Sequence, residues 1–459
     1  MAQGEKISCM TPGWVTEAIK AMGEDPDTSM DSLQEVWRSW WSCDNDFYKT
    51  TYDLGDSIPA EDRLSIRPAQ MVAEEWPALI MTEGTQLGAE DKGLSTWIDE
   101  HLPDFCERQA DFMAAAFALG CGVWCVSAQL GERPETSIES HRAWECVPLT
   151  SGGMAVTSRV VADGHVLDQL QIHREDPDTG TWHILTRLFT IEAHKPVASE
   201  TVTDDLDTDQ TLPTFAIVAP GLPNTYWAHS PLGVSCFAAA IDACRMADEA
   251  YNQLYWQTRL SLPRVLMSDM AISRDPKTGK PETTSSLDQV IFRTVNSVEG
   301  APVTIYNPDT HIDDMISALN CALATLGIKA GFGQQYWSFD LASGLKTATE
   351  VVASNATLMR SVRRHENAIE KAACSVVRAA YSCQMALSGT ALEEVPSPHI
   401  TWDDSVVSDS ETERNQMKDD IARGLCPAWM YPVKYWGMDE TEARALTEGT
   451  AEIDALGEE

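Results

Sequence analysis

Apolar positions recur at steps of three and four over much of the chain, and the longest such run predicts its longest element. Val352, Ala356, Met359, Val362, Ile369, Ala373, Val376, Ala380, Cys383 and Leu387 keep that spacing, with one step of seven and no proline before Pro396. Ahead of them Thr347-x-x-Glu350 is a capping box that can satisfy two amide donors left open at a helix start, and Gly389 stands where a left-handed terminal residue is wanted. The pattern predicts one helix over 347–388, a rod of roughly 60 Å at 1.5 Å per residue. Ser354-Asn355, both weak helix formers, is where a kink would fall.

Shorter helical runs precede it. They predict helices over Pro12–Met22, Asp31–Trp41, Arg67–Glu75 and Leu94–Leu119, with a short strand at Ala78–Thr82. Trp37, Trp40, Trp41 and Phe47 sit at helical spacing and read as core. Further on, Val234, Phe237, Ile241, Cys244, Ala247, Tyr251 and Leu254 form a seam close to a heptad that ends before Pro263. Ile312, Ile316, Leu319, Leu323 and Leu326 form a second, capped by Thr310-x-x-Asp313 and closed by Gly331. These are two stalk helices around residues 262–310, where Arg264–Met267, Val290–Thr294 and Pro302–Tyr306 read as strands of a small tip.

Between Gly120 and Val218 the period changes to two. Val123–Val126, Ala143–Pro148, Ala155–Val161, Val166–His173, Thr181–Thr190 and Thr214–Val218 predict an antiparallel sheet, punctuated by Ser151-Gly-Gly, Asp163-Gly and Asp178-Thr-Gly. Asp204, Asp205, Asp207 and Asp209 read as an acidic solvated turn. The C-terminal part offers a strand at His399-Ile-Thr-Trp, a helix capped by Ser408-x-x-Glu411 and ending near Gly424, and two shorter helices bounded by Pro427, Gly437, Asp439 and Gly449. The fold class expected is α+β.

Charge changes the picture more than composition does. The 459 residues carry a formal net charge of −37, a surface that repels phosphate and anionic lipid. The predicted long helix runs against this trend, with Arg360, Arg363, Arg364, Lys371 and Arg378 against Glu350, Glu366 and Glu370. No secretory signal opens the chain and no apolar run reaches a membrane span, so no membrane is expected. Twelve cysteines without a framework spacing read as reduced thiols in a cytoplasmic setting.

Candidate chemistry is sparse. No P-loop, G-x-G-x-x-G, G-x-S-x-G or H-E-x-x-H motif is present, so no catalytic residue and no cofactor is expected. Cys121, Cys125, His141 and Cys146 have zinc-ligand chemistry at spacings unlike common zinc sites, and no metal is expected there. They define the alternative, a cytoplasmic metal- or thiol-dependent enzyme. The acid groups at 403–413 read as residues favoured at a helix start.

The order of elements resembles another class of protein. An α/β region, a stalk helix with Gly233-Val-Ser-Cys-Phe-Ala-Ala-Ala-Ile-Asp242, a β tip, a second stalk helix, the aromatic loop Phe332-Gly-Gln-Gln-Tyr-Trp-Ser-Phe-Asp-Leu-Ala-Ser343, Gly344-Leu-Lys-Thr-Ala-Thr-Glu-Val351, a long helix and Ile400-Thr-Trp-Asp-Asp-Ser405 together resemble the portal proteins of tailed bacteriophages. The nearest branch is that of long-tailed phages of Gram-positive hosts, over roughly residues 60–450.

That resemblance implies a homo-oligomeric ring of about twelve copies at one capsid vertex, in the virion and earlier in the host cytoplasm. Double-stranded DNA would pass through it during packaging and ejection. Its implied partners are the terminase large subunit, a head–tail connector, and major capsid and scaffolding proteins. A further alternative is another capsid-associated adaptor.

By region, the resemblance implies a wing (1–230), stem helices (231–262 and 311–331) and a clip (263–310) with Asp275, Lys277 and Lys280 at its tip. A tunnel loop (332–346) would carry Tyr336, Trp337, Phe339 and Leu341. The long helix (347–388) would return to the wing, and 389–459 would hold a wing strand and a short crown. Lys329, Lys346, Arg360, Arg363 and Arg364 are its candidates for facing DNA.

Overall fold

A computed structural model of the chain describes residues 7–49, 51–52, 61–82, 84–129, 135–162, 165–192, 195–261, 264–268, 276–277, 291–294, 303–307, 309, 311–338, 348–403, 410–436 and 438–447. In chain order the helices are α1 (Gly13–Ala21), α2 (Asp31–Trp41), α3 (Pro68–Ile80), α4 (Lys92–His101), α5 (Phe105–Arg108), α6 (Ala110–Leu119), α7 (Ile241–Leu260), α8 (Ile312–Ala330), α9 (Ala348–Leu387), α10 (Ser410–Ala422) and α11 (Met430–Trp436). The strands are β1 (Thr51–Tyr52), β2 (Glu61–Asp62), β3 (Gln86–Ala89), β4 (Gly122–Gln129), β5 (Glu135–Arg142), β6 (Cys146–Pro148), β7 (Met154–Ala162), β8 (His165–Glu175), β9 (Trp182–Glu192), β10 (Lys195–Asp207), β11 (Phe215–Val218), β12 (Arg264–Ser268), β13 (Ile291–Thr294), β14 (Val303–Tyr306) and β15 (Pro398–Thr401). The fold is mixed α+β, and residues 1–402 and 403–459 form two units.

The alternating region folds as two sheets where one was expected. One is five-stranded and antiparallel, in the order β10-β9-β8-β7-β6. Its apolar face, including Leu149, Ala155, Leu170, Ile172 and Phe189, packs on Val15, Ala18 and Ile19 of α1. The other is β11-β4-β5, with β4 at its centre. Val123, Trp124, Cys125 and Val126 are all buried, because β4 is covered by α6 and α9. The acidic turn expected at Asp204–Asp209 is mostly strand: Asp204, Asp205 and Asp207 lie in β10, paired with Thr186, Leu185 and His183. A pairing partner in β9 supplies what local sequence cannot, and Arg187 meets Asp205 at 2.6 Å.

Three helical expectations change as well. The strand expected at Ala78–Thr82 is the last part of α3, which runs through Pro77 to Ile80 and buries Val72, Trp76, Leu79 and Ile80. Burying that stripe outweighs the one backbone bond that Pro77 cannot make. The edge strand lies later, at β3, where Leu87 pairs with Ile400 of β15 and ties the end of this unit to its beginning. The helix expected over Leu94–Leu119 is three segments, broken where Pro103 disfavours helix at Leu102 and Asp104 takes φ +54°. α7 begins only after a short 3₁₀ turn at Ala238–Ala240. Val234 and Phe237 therefore pack ahead of it, with Gly120 (φ +69°) so close to the backbone of Val234 that no side chain fits.

The long helix is α9, a single 40-residue element with no break at Ser354-Asn355. It ends as expected: Gly389 has φ +78°, its N–H donates to the carbonyl of Ala386, and that of Thr390 to Met385. Its capping residue Thr347 lies outside the described residues. α9 packs on β4, β5 and β11, and Thr136 of β5 is bound to it by Gln384 Oε1 at 2.8 Å and the Ala380 carbonyl at 3.1 Å.

In the second unit α10, α11 and a helix over 440–447 pack through cation–aromatic contacts. The guanidinium of Arg444 lies 4.6 Å from the ring of Trp429 and that of Arg414 lies 5.2 Å from Tyr435.

Candidate functional site

Two helices, one small sheet and one aromatic turn make up the region that the sequence singled out. α7 and α8 pack along each other, and Lys329 near the end of α8 reaches Asp242 at the start of α7 at 2.5 Å, so the pair is antiparallel. The segment joining them carries the sheet β13-β12-β14, with β12 parallel to β13 (Val265 opposite Ile291) and antiparallel to β14 (Arg264 opposite Tyr306). Small residues of α7 (Ala243, Cys244 and Ala247) and apolar residues of α8 (Leu319, Ala322 and Leu326) are buried.

α7 is also fastened from the side by the N-terminal segment. Asp248, fully buried, accepts hydrogen bonds from the hydroxyls of Tyr48 (2.6 Å) and Ser65 (2.9 Å) and from the N–H of Ile66 (2.8 Å). Burial raises its pKa despite those donors. Beside it Arg63 pairs with Glu249 at 2.8 Å and stacks on Phe47. Of the clustered aromatics only Trp37 is fully buried; Trp40 packs on Phe47 and Tyr48 at centroid distances of 5.6 Å.

After α8, Gly331 takes φ +92° and the chain turns through 332–338. Phe332 is buried, its ring stacked on Trp76 of α3 at 4.1 Å. The Tyr336 hydroxyl donates to Glu75, and Trp337 packs against Phe332 (4.7 Å) and Tyr336 (5.1 Å). Tyr336 and Trp337 are half-buried; Phe339 and Leu341 lie outside the described residues.

The basic candidates divide. Lys329 is neutralised by Asp242. Arg360, Arg363 and Arg364 are exposed on α9, and among the described residues none of them makes an ion pair. Arg360 bonds only to its own helix, at Ala356 and Thr357. Lys346, Asp275 and Lys280 lie outside the described residues, and Lys277 is exposed.

One residue unnoticed in the sequence links these parts. His365 on α9 is buried, edge-on to Trp76 at 4.5 Å, and its Nδ1 accepts the N–H of Gly221 at 3.0 Å. Burial first, then the neighbouring Arg364, pull its pKa down to about 3, so it is neutral. Trp76 was missed because the predicted helix stopped one residue short of it. Nothing local marks His365, whose importance comes from three segments meeting on it.

Cys121, Cys125, His141 and Cys146 are core residues of β4, β5 and their flanks. The Cys146 thiol donates to the carbonyl of Arg142 at 3.1 Å, and burial pushes the thiols of Cys125 and Cys146 well above their ordinary pKa. Among the described residues no group of three or more His, Cys, Asp or Glu is arranged to hold a metal ion, and no helix is long and apolar enough to cross a membrane.

Searches of protein-family models and of curated proteins produced no match to the chain.

Proposed function

We propose that the chain is a portal subunit, one copy of a ring through which double-stranded DNA passes at a capsid vertex. The observation that carries this reading is the order α7, small sheet, α8, aromatic turn, α9. An antiparallel helix pair presents a sheet at one end and at the other turns through Phe332–Trp337 into a 40-residue helix that runs back over β4, β5 and β11. Such a hairpin is a lever with a docking head. Repeated around an axis it makes a wall, with the sheets as one rim.

Charge supports the same reading. Each phosphate neutralised by Lys or Arg adds salt-dependent affinity, and a conduit must not hold what it passes. A chain with 70 acidic residues against 33 basic ones, its α8 lysine paired with Asp242, repels phosphate more than it holds it. The β12–β14 sheet is the proposed docking head for terminase and then for a head–tail connector, and the turn at 332–338 is the proposed constriction. Negative-stain images of the purified full-length protein test the proposal. Closed rings with a DNA-sized central channel are expected, and a stable monomer under all assembly conditions would overturn it.

A further inference from the structure

The most unusual stretch of the sequence lies away from the helix pair. From Gln210 to Ile241 there is no Asp, Glu, Lys or Arg, where the chain's overall 22% of charged residues would place about seven. Part of this stretch is buried as β11 and in the approach to α7, but 225–229 is exposed throughout. Its crest is Tyr226 and Trp227, 45% and 50% exposed.

These aromatics are held out by design of the loop. The Asn224 side chain accepts the N–H groups of both Tyr226 and Trp227 at 3.0 Å and donates to the Leu232 carbonyl at 2.9 Å, which fixes both ends of the crest. Tyr226 leans edge-on against Trp37 of α2 at 5.9 Å, beside exposed Val36. A rigid, exposed Tyr-Trp pair loses little entropy on binding and is the type of anchor that dominates interfaces. The same loop starts against α9: Gly221 touches the backbone of Arg364 and donates to His365. Its flank is therefore the exposed row Arg360, Arg363 and Arg364.

The geometry points to this face, aromatic at its crest and basic on its flank, as the seat of a second copy of this chain. A partner must complement unpaired arginines, and every other copy supplies acidic surface at −37. Like-charged copies repel least where one of them brings no acid, and the stretch from Gln210 to Ile241 brings none. Because one half is uncharged or basic and the other must be acidic, the two halves are different patches of the same chain. The contact is head-to-tail, which closes into a ring where the rotation between copies closes. Duplex DNA fits less well: its bases are stacked inside and leave nothing for Trp227 to bury against. The inference rests on the ring reading and removes Arg360, Arg363 and Arg364 from the DNA-facing candidates.

The test compares the full-length chain with Trp227→Glu and with Arg360→Glu/Arg363→Glu/Arg364→Glu, by light scattering across protein concentration and by negative stain. All four residues are exposed, so thermal melts should match the wild type and separate loss of assembly from loss of folding. At least a tenfold weaker association is expected in each variant. If the wild type assembles into rings and both variants do so equally well, the inference is overturned and the portal reading stands. If the arginine variant assembles normally but binds duplex DNA more weakly, the inference is overturned and the arginines belong to DNA. A wild type that never assembles overturns both. A closed twofold dimer broken by Trp227→Glu overturns the head-to-tail geometry and the ring.

Discussion

The turn at 332–338 and the loop at 220–231 contain the same dipeptide, Tyr336-Trp337 in one and Tyr226-Trp227 in the other, and treat it in opposite ways. In the turn, Phe332 enters the slot beside Trp76, Tyr336 is tied to Glu75, and Trp337 lies on both rings. In the loop, the backbone around Asn224 is bracketed by side-chain hydrogen bonds, Tyr226 meets only the edge of Trp37, and about half of each ring is left in water. Aromatic content in a loop therefore does not tell whether it faces solvent. What decides is whether a neighbouring helix offers an apolar slot, as α3 does through Trp76, or whether the loop satisfies its own backbone and needs none. His365 touches both systems, beside Trp76 on one side and bonded to Gly221 on the other.

The contrast can be broken most strongly at Trp76→Ala. Removing a fully buried indole that stacks on Phe332 should cost about 3–5 kcal/mol, read from urea midpoints, and should raise solvent quenching of the turn's Trp337 but not of Trp227. Equal exposure of both tryptophans in that variant would remove the distinction between turn and loop.

Acid should act next. The folded pKa values of His365 and His173 are both lowered to about 3, chiefly by burial, so between about pH 3 and 6.5 the unfolded chain holds protons that the folded one refuses. Stability is then complete above pH 6.5 and falls as pH drops below it, by about 2 kcal/mol per histidine between pH 7 and 5. Thermal melts across that range check the sign, and His365→Gln should flatten the slope. A pH-independent midpoint would exclude burial of neutral imidazoles.

Smaller effects sharpen the comparison. Tyr336→Phe removes the bond to Glu75 and should cost about 1 kcal/mol in the same denaturation assay. Asn224→Ala should cost about 1 kcal/mol and loosen the crest, seen as faster amide exchange at residues 226–227, whose N–H groups it leaves unpaired. Smallest of all, Trp227→Ala should change stability by less than about 0.5 kcal/mol, because half of that side chain is already in water.

What could be read without coordinates was what local periodicity and chain punctuation encode. α9 with its Gly389 terminus, α2 to the residue, α8 with Gly331, the strands of the two sheets between Gly122 and Val218 except β5 and β10, and the α+β class all follow from spacing, caps and turns, because those depend on neighbours within a few residues. Tertiary structure alone decided what depends on distant partners. It set the continuation of α3 through Pro77, the division of one expected sheet into two, the pairing of Lys329 with Asp242, and the burial of Asp248 under Tyr48 and Ser65. It also decided which Tyr-Trp pair faces water: the fold brings an indole slot and Glu75 to Tyr336-Trp337, but to Tyr226-Trp227 only the edge contact with Trp37, while the Asn224 bracket beside them is local in the chain.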